Sequence, residues 1–148
     1  RGGALTYHAP GQLISYPVFD LNILGRDIHK YLRNLEEVII RLLESYKISG
    51  EREKGYTGVW VGGKKICSIG VAVSGWVTYH GLALNVADAM RALAYIHPCG
   101  LSVDSYASIK ELAGFIPDMA QIRERLLSAF REVFGLEYAE HNAASRVA

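Results

Sequence analysis

The sequence predicts an α+β domain: a mixed, mainly antiparallel sheet covered by helices. Three observations carry this. Apolar residues recur at spacings of three and four in two well-separated segments. Between those segments lie three β-prone runs joined by Gly-containing turns. The resulting order, β-β-α-β-β-β-α-α-α, sets long helices against antiparallel strands and lacks the strand–helix alternation of a parallel sheet.

The first β-prone runs are Ala4 to Tyr7 and Gln12 to Phe19, parted by His8-Ala9-Pro10-Gly11. Pro-Gly signals a type II turn, in which Gly11 takes the positive φ. Pro17 removes a backbone donor and keeps the end of the second run out of a sheet interior. From Asp27 the period changes. Ile28, Tyr31, Leu32, Leu35, Val38, Ile39, Leu42, Leu43 and Tyr46 form one apolar face, while Lys30, Arg33, Glu36, Glu37, Arg41 and Glu44 form the other. This is an amphipathic helix of about five turns ended by Ser49-Gly50.

Residues 51 to 56 read as a solvated loop. Thr57 to Val61, Lys64 to Val73 and Trp76 to Val86 then form a meander turning at Gly62-Gly63 and Ser74-Gly75. The uncharged stretch from Ile66 to Ala87 is long enough to cross a membrane. Its Ser, Gly, Thr, His and Asn interruptions make it a buried hairpin instead. Short helices are expected over Asp88 to Tyr95 and Ser105 to Ala113, with His97-Pro98-Cys99-Gly100 as a loop between them. Asp118, three residues before Gln121, caps a last helix whose stripe is Met119, Ile122, Leu126, Leu127, Phe130, Val133 and Phe134, closed by Gly135.

The chain has 148 residues, and one domain over 1–138 with a frayed tail over 139–148 is expected. With 50% hydrophobic and 21% charged residues, a disordered chain is excluded. A formal charge of +1 and no basic run argue against a nucleic-acid partner. Cys67 and Cys99 read as reduced thiols of a cytoplasmic protein, and no transmembrane helix is expected.

Cys99 stands between Pro98 and Gly100, where a turn presents the thiol; it is either reactive or a small hydrophobe filling a gap. Cys67, mid-strand, reads as inert. Lys64 and Lys65 follow the Gly62-Gly63 turn and could simply meet solvent. A lysine pointing inward would instead be desolvated, which lowers its pKa and frees an amine to act as a base. His8 and His80 each follow Tyr and precede a small residue, as structural or site histidines. A zinc set from His8, His80, His97, Cys67 and Cys99 lacks any close ligand pair. Neither a Walker A loop nor a Gly-x-Ser-x-Gly elbow is present, which removes P-loop nucleotide binding and serine hydrolysis of that type.

Arg1-Gly2-Gly3, Thr6-Tyr7-His8-Ala9-Pro10-Gly11-Gln12, Gly58-Val59-Trp60-Val61, Lys65-Ile66-Cys67-Ser68-Ile69-Gly70, Trp76 through Val86 and Pro98-Cys99-Gly100 occur in one order. Together they resemble the lipoyl(octanoyl) transferase family, the acyltransferases of the first step of protein lipoylation. The resemblance implies a fold similar to the biotin and lipoate protein ligase catalytic domains. It implies transfer of an octanoyl group from octanoyl-acyl carrier protein, through a Cys99 thioester, to a lysine of lipoyl domains. The acceptors would be the 2-oxoacid dehydrogenases and the glycine cleavage H protein. Lys65 would exchange the protons. No cofactor is implied. Arg1, Gly2, Gly3, Tyr7, His8, Ile69, Gly70, His80, Gly81, Leu84 and Asn85 would bind substrate, with backbone N–H groups near Gly81 and Cys99 as oxyanion donors.

Three departures from the family pattern stand out. Ala9 replaces a usual Gly, at a cost of about 1 kcal/mol if that position needs positive φ. Ser74-Gly75 stands where arginines are frequent, and Ala107-Ser108-Ile109 only partly fits the pattern after the cysteine. The resemblance also implies an N-terminal segment or complementing chain before Arg1. The alternatives are a half-enzyme that binds carrier or lipoyl domains without turnover, a subunit of an ATP-dependent lipoate protein ligase, and a thioesterase.

Overall fold

The computed structural model describes residues 7–87 and 105–137. Four strands, β1 (Gln12–Ser15), β2 (Gly58–Val61), β3 (Lys64–Ser74) and β4 (Val77–Asn85), form one antiparallel sheet in the order β1-β4-β3-β2. Helices α1 (Ile28–Glu44) and α3 (Met119–Phe134) pack together and bury one sheet face; the short α2 (Ile109–Ala113) lies between β4 and α3 in the chain. The expected mixed, mainly antiparallel sheet covered by helices is therefore present, its parallel component among the described residues being a single bridge between Lys65 and Tyr106. Ala4 to Thr6, the helix expected from Asp88 to Tyr95 and the tail 139–148 lie outside the described residues.

Local chemistry sets the turns. Gly11 has φ +90° and Gln12 N–H bonds Ala9 O at 3.2 Å, the type II turn expected from Pro10-Gly11. Ala9 is not among the positive-φ residues, so the expected strain there is absent. Gly62 and Gly63 have φ of +55° and +76°, which gives the β2–β3 hairpin the primed turn that suits strand twist. The β3–β4 turn differs from expectation: Gly75 and Trp76 are its central residues, Trp76 at φ +65°, and β4 starts at Val77. Leu21 N–H on Trp76 O at 2.8 Å and the Arg26 guanidinium 5.5 Å from the ring hold this unusual tryptophan.

The first long strand is shorter than its apolar run. It ends at Ser15, before Pro17, and Phe19 instead stacks on Phe134 at 4.6 Å and meets Tyr31 edge-on at 5.7 Å. Asp27 caps α1 by accepting from Lys30 N–H at 2.9 Å. The helix stops at Glu44, five residues before Ser49, because the chain turns through Lys47 at φ +60°. Leu35, Val38, Ile39, Leu42 and Leu43 are buried, each contributing roughly 2 kcal/mol. In α3 the Asp118 cap accepts from Ala120 and Gln121 N–H groups at 3.0 Å, and Gly135 closes it at φ +63°. Met119 and Leu127 of its expected stripe are exposed, while Ala129 is buried. The Ile66–Ala87 stretch forms β3 and β4, and no described helix is long and apolar enough to cross a membrane.

Glu36 departs most from its expected place. The periodicity puts it on the solvated face, yet it is 1% exposed. Its carboxylate accepts from Arg33 at 2.7 Å, Arg52 at 3.1 Å and the Gly58 N–H at 3.2 Å. The loop 51–56 is thus tied to α1, with Arg52 also bonding Glu37 at 2.7 Å. That bond, aided by Arg41, holds the Glu37 carboxyl below its usual range against the opposing effect of burial.

Candidate active site

The β2–β3 hairpin aims Lys65. Near the turn Val61 pairs with Lys64 and Trp60 with Lys65, but farther on Val59 pairs with Cys67 and Gly58 with Ser68. One residue of β3, Ile66, is therefore extra: a β-bulge. Side chains alternate along a regular strand, so Cys67 facing the helices would turn Ile66 away and Lys65 back toward them. The bulge breaks that alternation. Ile66 and Cys67 both enter the core with Val59, and Lys65 shares the opposite face with its cross-strand partner Trp60.

Lys65 is nonetheless only 8% exposed. Its Nζ lies 4.9 Å from the Trp60 ring centroid, within cation–π range. Gly58, at φ +145°, leaves room for its stem: a Cβ there would come 2.9 Å from Lys65 Cε and 2.6 Å from the Cys67 carbonyl oxygen. On the other side, where β4 pairs no further, Ala107 N–H bonds Lys65 O at 3.0 Å. Buried Asn85 fixes that segment by donating to Ala107 O at 3.0 Å while accepting from Gln12 at 3.0 Å. Lys64 is the solvent-facing lysine and pairs with Glu111 at 3.0 Å. Cys67 is fully buried, and burial pushes its thiol up to about 12 despite the nearby Lys65 charge. An alkaline, inaccessible thiol cannot serve as a nucleophile at neutral pH.

The histidines form a second pole. His8 Nε2 is 2.6 Å from the Tyr16 hydroxyl, and the Tyr16 ring meets the His80 ring edge-on at 5.9 Å. His80 has φ +64° within β4, an unusual conformation for a residue with a Cβ. Gly81 follows it, paired with Gly70, and is packed so closely that a Cβ would strike the Ser15 carbonyl and come 2.6 Å from Pro17 Cδ. Six residues of β3 separate Lys65 from Val71, the partner of His80, about 20 Å along an extended strand. The two poles thus occupy opposite ends of the β3–β4 pair.

Among the expected substrate-binding residues, Asn85 adjoins the segment beside Lys65, whereas His8, His80, Gly81 and Gly70 belong to the second pole. Tyr7 is 46% exposed. Leu84 is wholly buried and Ile69 packs on the same core; pairing sets both on the helix-covered face with Cys67 and Leu82, away from Lys65. Cys99, Arg1, Gly2 and Gly3 lie outside the described residues. Sequence reasoning missed Tyr16, which joins the two histidines, and Glu36, which anchors Gly58. It also missed the role of Trp60, although a two-residue Gly62-Gly63 turn already implies the Trp60–Lys65 pair. Among the described residues no three His, Cys, Asp or Glu side chains gather as a metal site.

The comparisons with known proteins agree with this architecture. The profile of the lipoyl protein ligase A/B catalytic domain matches residues 1–131. An octanoyltransferase of Thermoanaerobacter sp. (strain X514) is 43% identical over 95% of this chain and 61% of its own length. One of Chloroflexus aurantiacus is 49% identical over 93% of this chain and 63% of its own length. The chain therefore spans about three fifths of the curated relatives it matches. Among solved structures, a chain from the bi-partite lipoate protein ligase and E2 lipoyl domain of Thermoplasma acidophilum superposes with TM-score 0.73 at 18% identity. It covers 95% of this chain and 58% of that one. The biotin protein ligase of Aquifex aeolicus, in complex with biotin and ATP, gives TM-score 0.68 at 15% identity over 84% and 50%. The topology, the helix-covered antiparallel sheet and the match over residues 1–131 lead to one assignment: the chain belongs to the lipoyl protein ligase A/B catalytic domain family.

Proposed function

We propose that this chain carries the acyl-transfer site of an octanoyltransferase, which moves an octanoyl group from octanoyl-acyl carrier protein to a lysine of a lipoyl domain. The observation that carries the reading is Lys65. It is buried, turned by a bulge onto the face away from the helices, and set beside the chain segment that follows Cys99. Ala107 bonds the Lys65 carbonyl and Tyr106 stands seven residues after Cys99, a tether of at most about 25 Å.

In this reading Cys99 Sγ attacks the thioester carbonyl as Lys65 takes the thiol proton. The carrier thiol leaves with that proton, and an octanoyl-Cys99 thioester remains. Thioester exchange is nearly isoenergetic, so no ATP is needed. The acceptor lysine then attacks the acyl-enzyme, its surplus proton passes by way of Lys65 to Cys99, and the thiol is regenerated as the amide forms. The Cys99 and Lys65 titrations are coupled in such a site. The buried, alkaline Cys67 supports Cys99 as the nucleophile by elimination. The histidine pole shapes the far end of the cleft.

The test is intact mass after mixing the chain with octanoyl-acyl carrier protein. The expected result is one octanoyl adduct, kept in Cys67→Ala and lost in Cys99→Ala. No adduct on folded protein would overturn independent transferase activity and favour a binding half that needs a complementing segment. Adenylate formed from ATP and octanoate in Cys99→Ala would favour the ligase chemistry instead.

A further inference from the structure

The hairpin that delivers Lys65 also brings its tryptophan. The geometry points to Trp60 as a positioning residue for the acyl transfer, one whose ring face holds the Lys65 ammonium and biases that lysine toward its charged form. The inference rests on the reading that Lys65 exchanges protons with Cys99.

The residues around the pair make the arrangement specific. Trp60 and Lys65 are cross-strand partners, 5% and 8% exposed, so the ring–cation contact is largely withdrawn from water, where such contacts are strongest. The ring is held on its own side by the Tyr56 ring at 6.2 Å and by a double backbone bridge to Glu51, 2.8 and 2.9 Å long. Gly58 offers no Cβ against the lysine stem, and its Cβ position is 3.2 Å from Trp60 Cη2. Glu36 anchors that glycine through the Gly58 N–H. The bulge at Ile66 keeps Lys65 out of phase with the apolar residues that follow.

Among the described residues, these ionisable groups belong to the elements packed around the pair: Glu36 of α1, Cys67 of β3, the Lys64–Glu111 pair of β3 and α2, Glu51 beside β2 and Tyr106 of the following segment. Glu36 already serves Arg33, Arg52 and Gly58, and Glu111 serves Lys64. The ring differs from these in being insensitive to pH, so it stabilises the ammonium at every pH. Its role in the first step follows: the proton leaving Cys99 creates an ammonium on Lys65, and Trp60 stabilises that product. Removing the electron-rich face should therefore lower the proton affinity of Lys65.

Fluorinated tryptophans introduced at position 60 alone test this, because fluorine drains the ring face while nearly preserving its shape. The primary readout is the titration of Lys65 followed by the 13Cε resonance, assigned with Lys65→Arg. The expected result is a midpoint that falls step by step with fluorine number, by about half to one and a half pH units at trifluorotryptophan. Trp60→Phe should fall between. A midpoint that stays put or rises overturns the inference, since a purely structural ring would leave it unchanged. Octanoylation of Cys99 is measured on the same proteins. An adduct with an unmoved midpoint sinks the Trp60 role alone. A moving midpoint without adduct sinks the acyl-transfer reading and leaves Trp60 as the holder of the cation.

Discussion

Glu36 Oε1 of α1 accepts the backbone N–H of Gly58 at 3.2 Å, so a buried carboxylate on a helix fixes the first residue of the strand that carries Trp60. Glu36→Ala strands a buried N–H donor and releases two guanidinium groups that are half-exposed enough to hydrate. The expected loss is about 2–3 kcal/mol in urea unfolding, and Glu36→Gln, which keeps the acceptor, should lose roughly 1 kcal/mol. Equal losses in the two variants would mean that the charge, and not the hydrogen bond, is what matters.

Gly81→Ala is expected to cost about 1–3 kcal/mol, although Gly81 has no positive φ. The methyl meets backbone and proline atoms of the β1 end, which cannot swing aside as a long side chain would. Thermal unfolding checks this, and a neutral outcome would show that β1 can slide away from β4.

Stability should fall at alkaline pH because of Cys67. Its thiol titrates near 12 in the folded chain against about 9 when unfolded, so the native state holds the proton longer. The stabilisation is complete below pH 9 and is lost as pH rises from 9 toward 12, by up to roughly 1.4 kcal/mol per pH unit. Tyr31 and Tyr46, also raised by burial, add to the slope above pH 10. The difference between the native chain and Cys67→Ala in denaturant titrations isolates the thiol. An identical slope in both would refute the assignment.

Tyr16→Phe deletes the 2.6 Å contact with His8 but leaves the ring against His80. Stability should change by less than about 1 kcal/mol, because the pair is exposed. If the proposed function holds and His8 with Tyr16 orders the substrate site, single-turnover octanoylation should slow by about tenfold, the value of one hydrogen bond. A rate within twofold of the native chain would show that the second pole does not order it.

Asn85→Leu should loosen the 105–108 segment from the sheet. It removes a donor to Ala107 O and an acceptor for Gln12, both around 3.0 Å and one fully buried. Amide exchange at Ala107, whose N–H bonds Lys65, is the direct measure, and faster exchange is expected there while α1 stays protected.

Much of the fold was legible because local signals agree with tertiary packing. Asp118 and Gly135 cap where short-range chemistry says they should, and the Gly62-Gly63 turn dictates its own hairpin. Burial of Leu35 or Ile122 follows from period alone. Glu36 was illegible because its position in the helical period matches solvent, and only the arrival of Arg52 and Gly58 from a distant loop makes burial favourable. Trp76 in a turn was hidden because tryptophan has no local preference for positive φ; contacts with Arg26 and Leu21 hold it there. The identity of the Lys65 partner was readable from the turn length, yet the bulge at Ile66 was not. Its cause is a conflict among Val59, Ile66 and Cys67 for one face, settled only by the assembled core. Ile69 and Leu84, expected to line an apolar slot, lie by register on the helix-covered face with Cys67 and Leu82.

The bulge makes β3 a strand that counts its residues as well as choosing them. Lys65 and Cys67 sit two positions apart, and two-fold pleating alone would send ammonium and thiol to the same side. One additional residue divides the strand into a polar-facing beginning and an oil-facing remainder. Any substitution of Ile66 by another aliphatic side chain preserves that division, and deleting the residue would leave Lys65 and Cys67 adjacent and still on opposite faces by plain pleating, losing only the extra apolar side chain that the bulge adds to the core. The extra residue is therefore a core-filling device: the facing of Lys65 and Cys67 survives its loss, whereas flattening the bulge with Ile66 in place would put ammonium and thiol on one side.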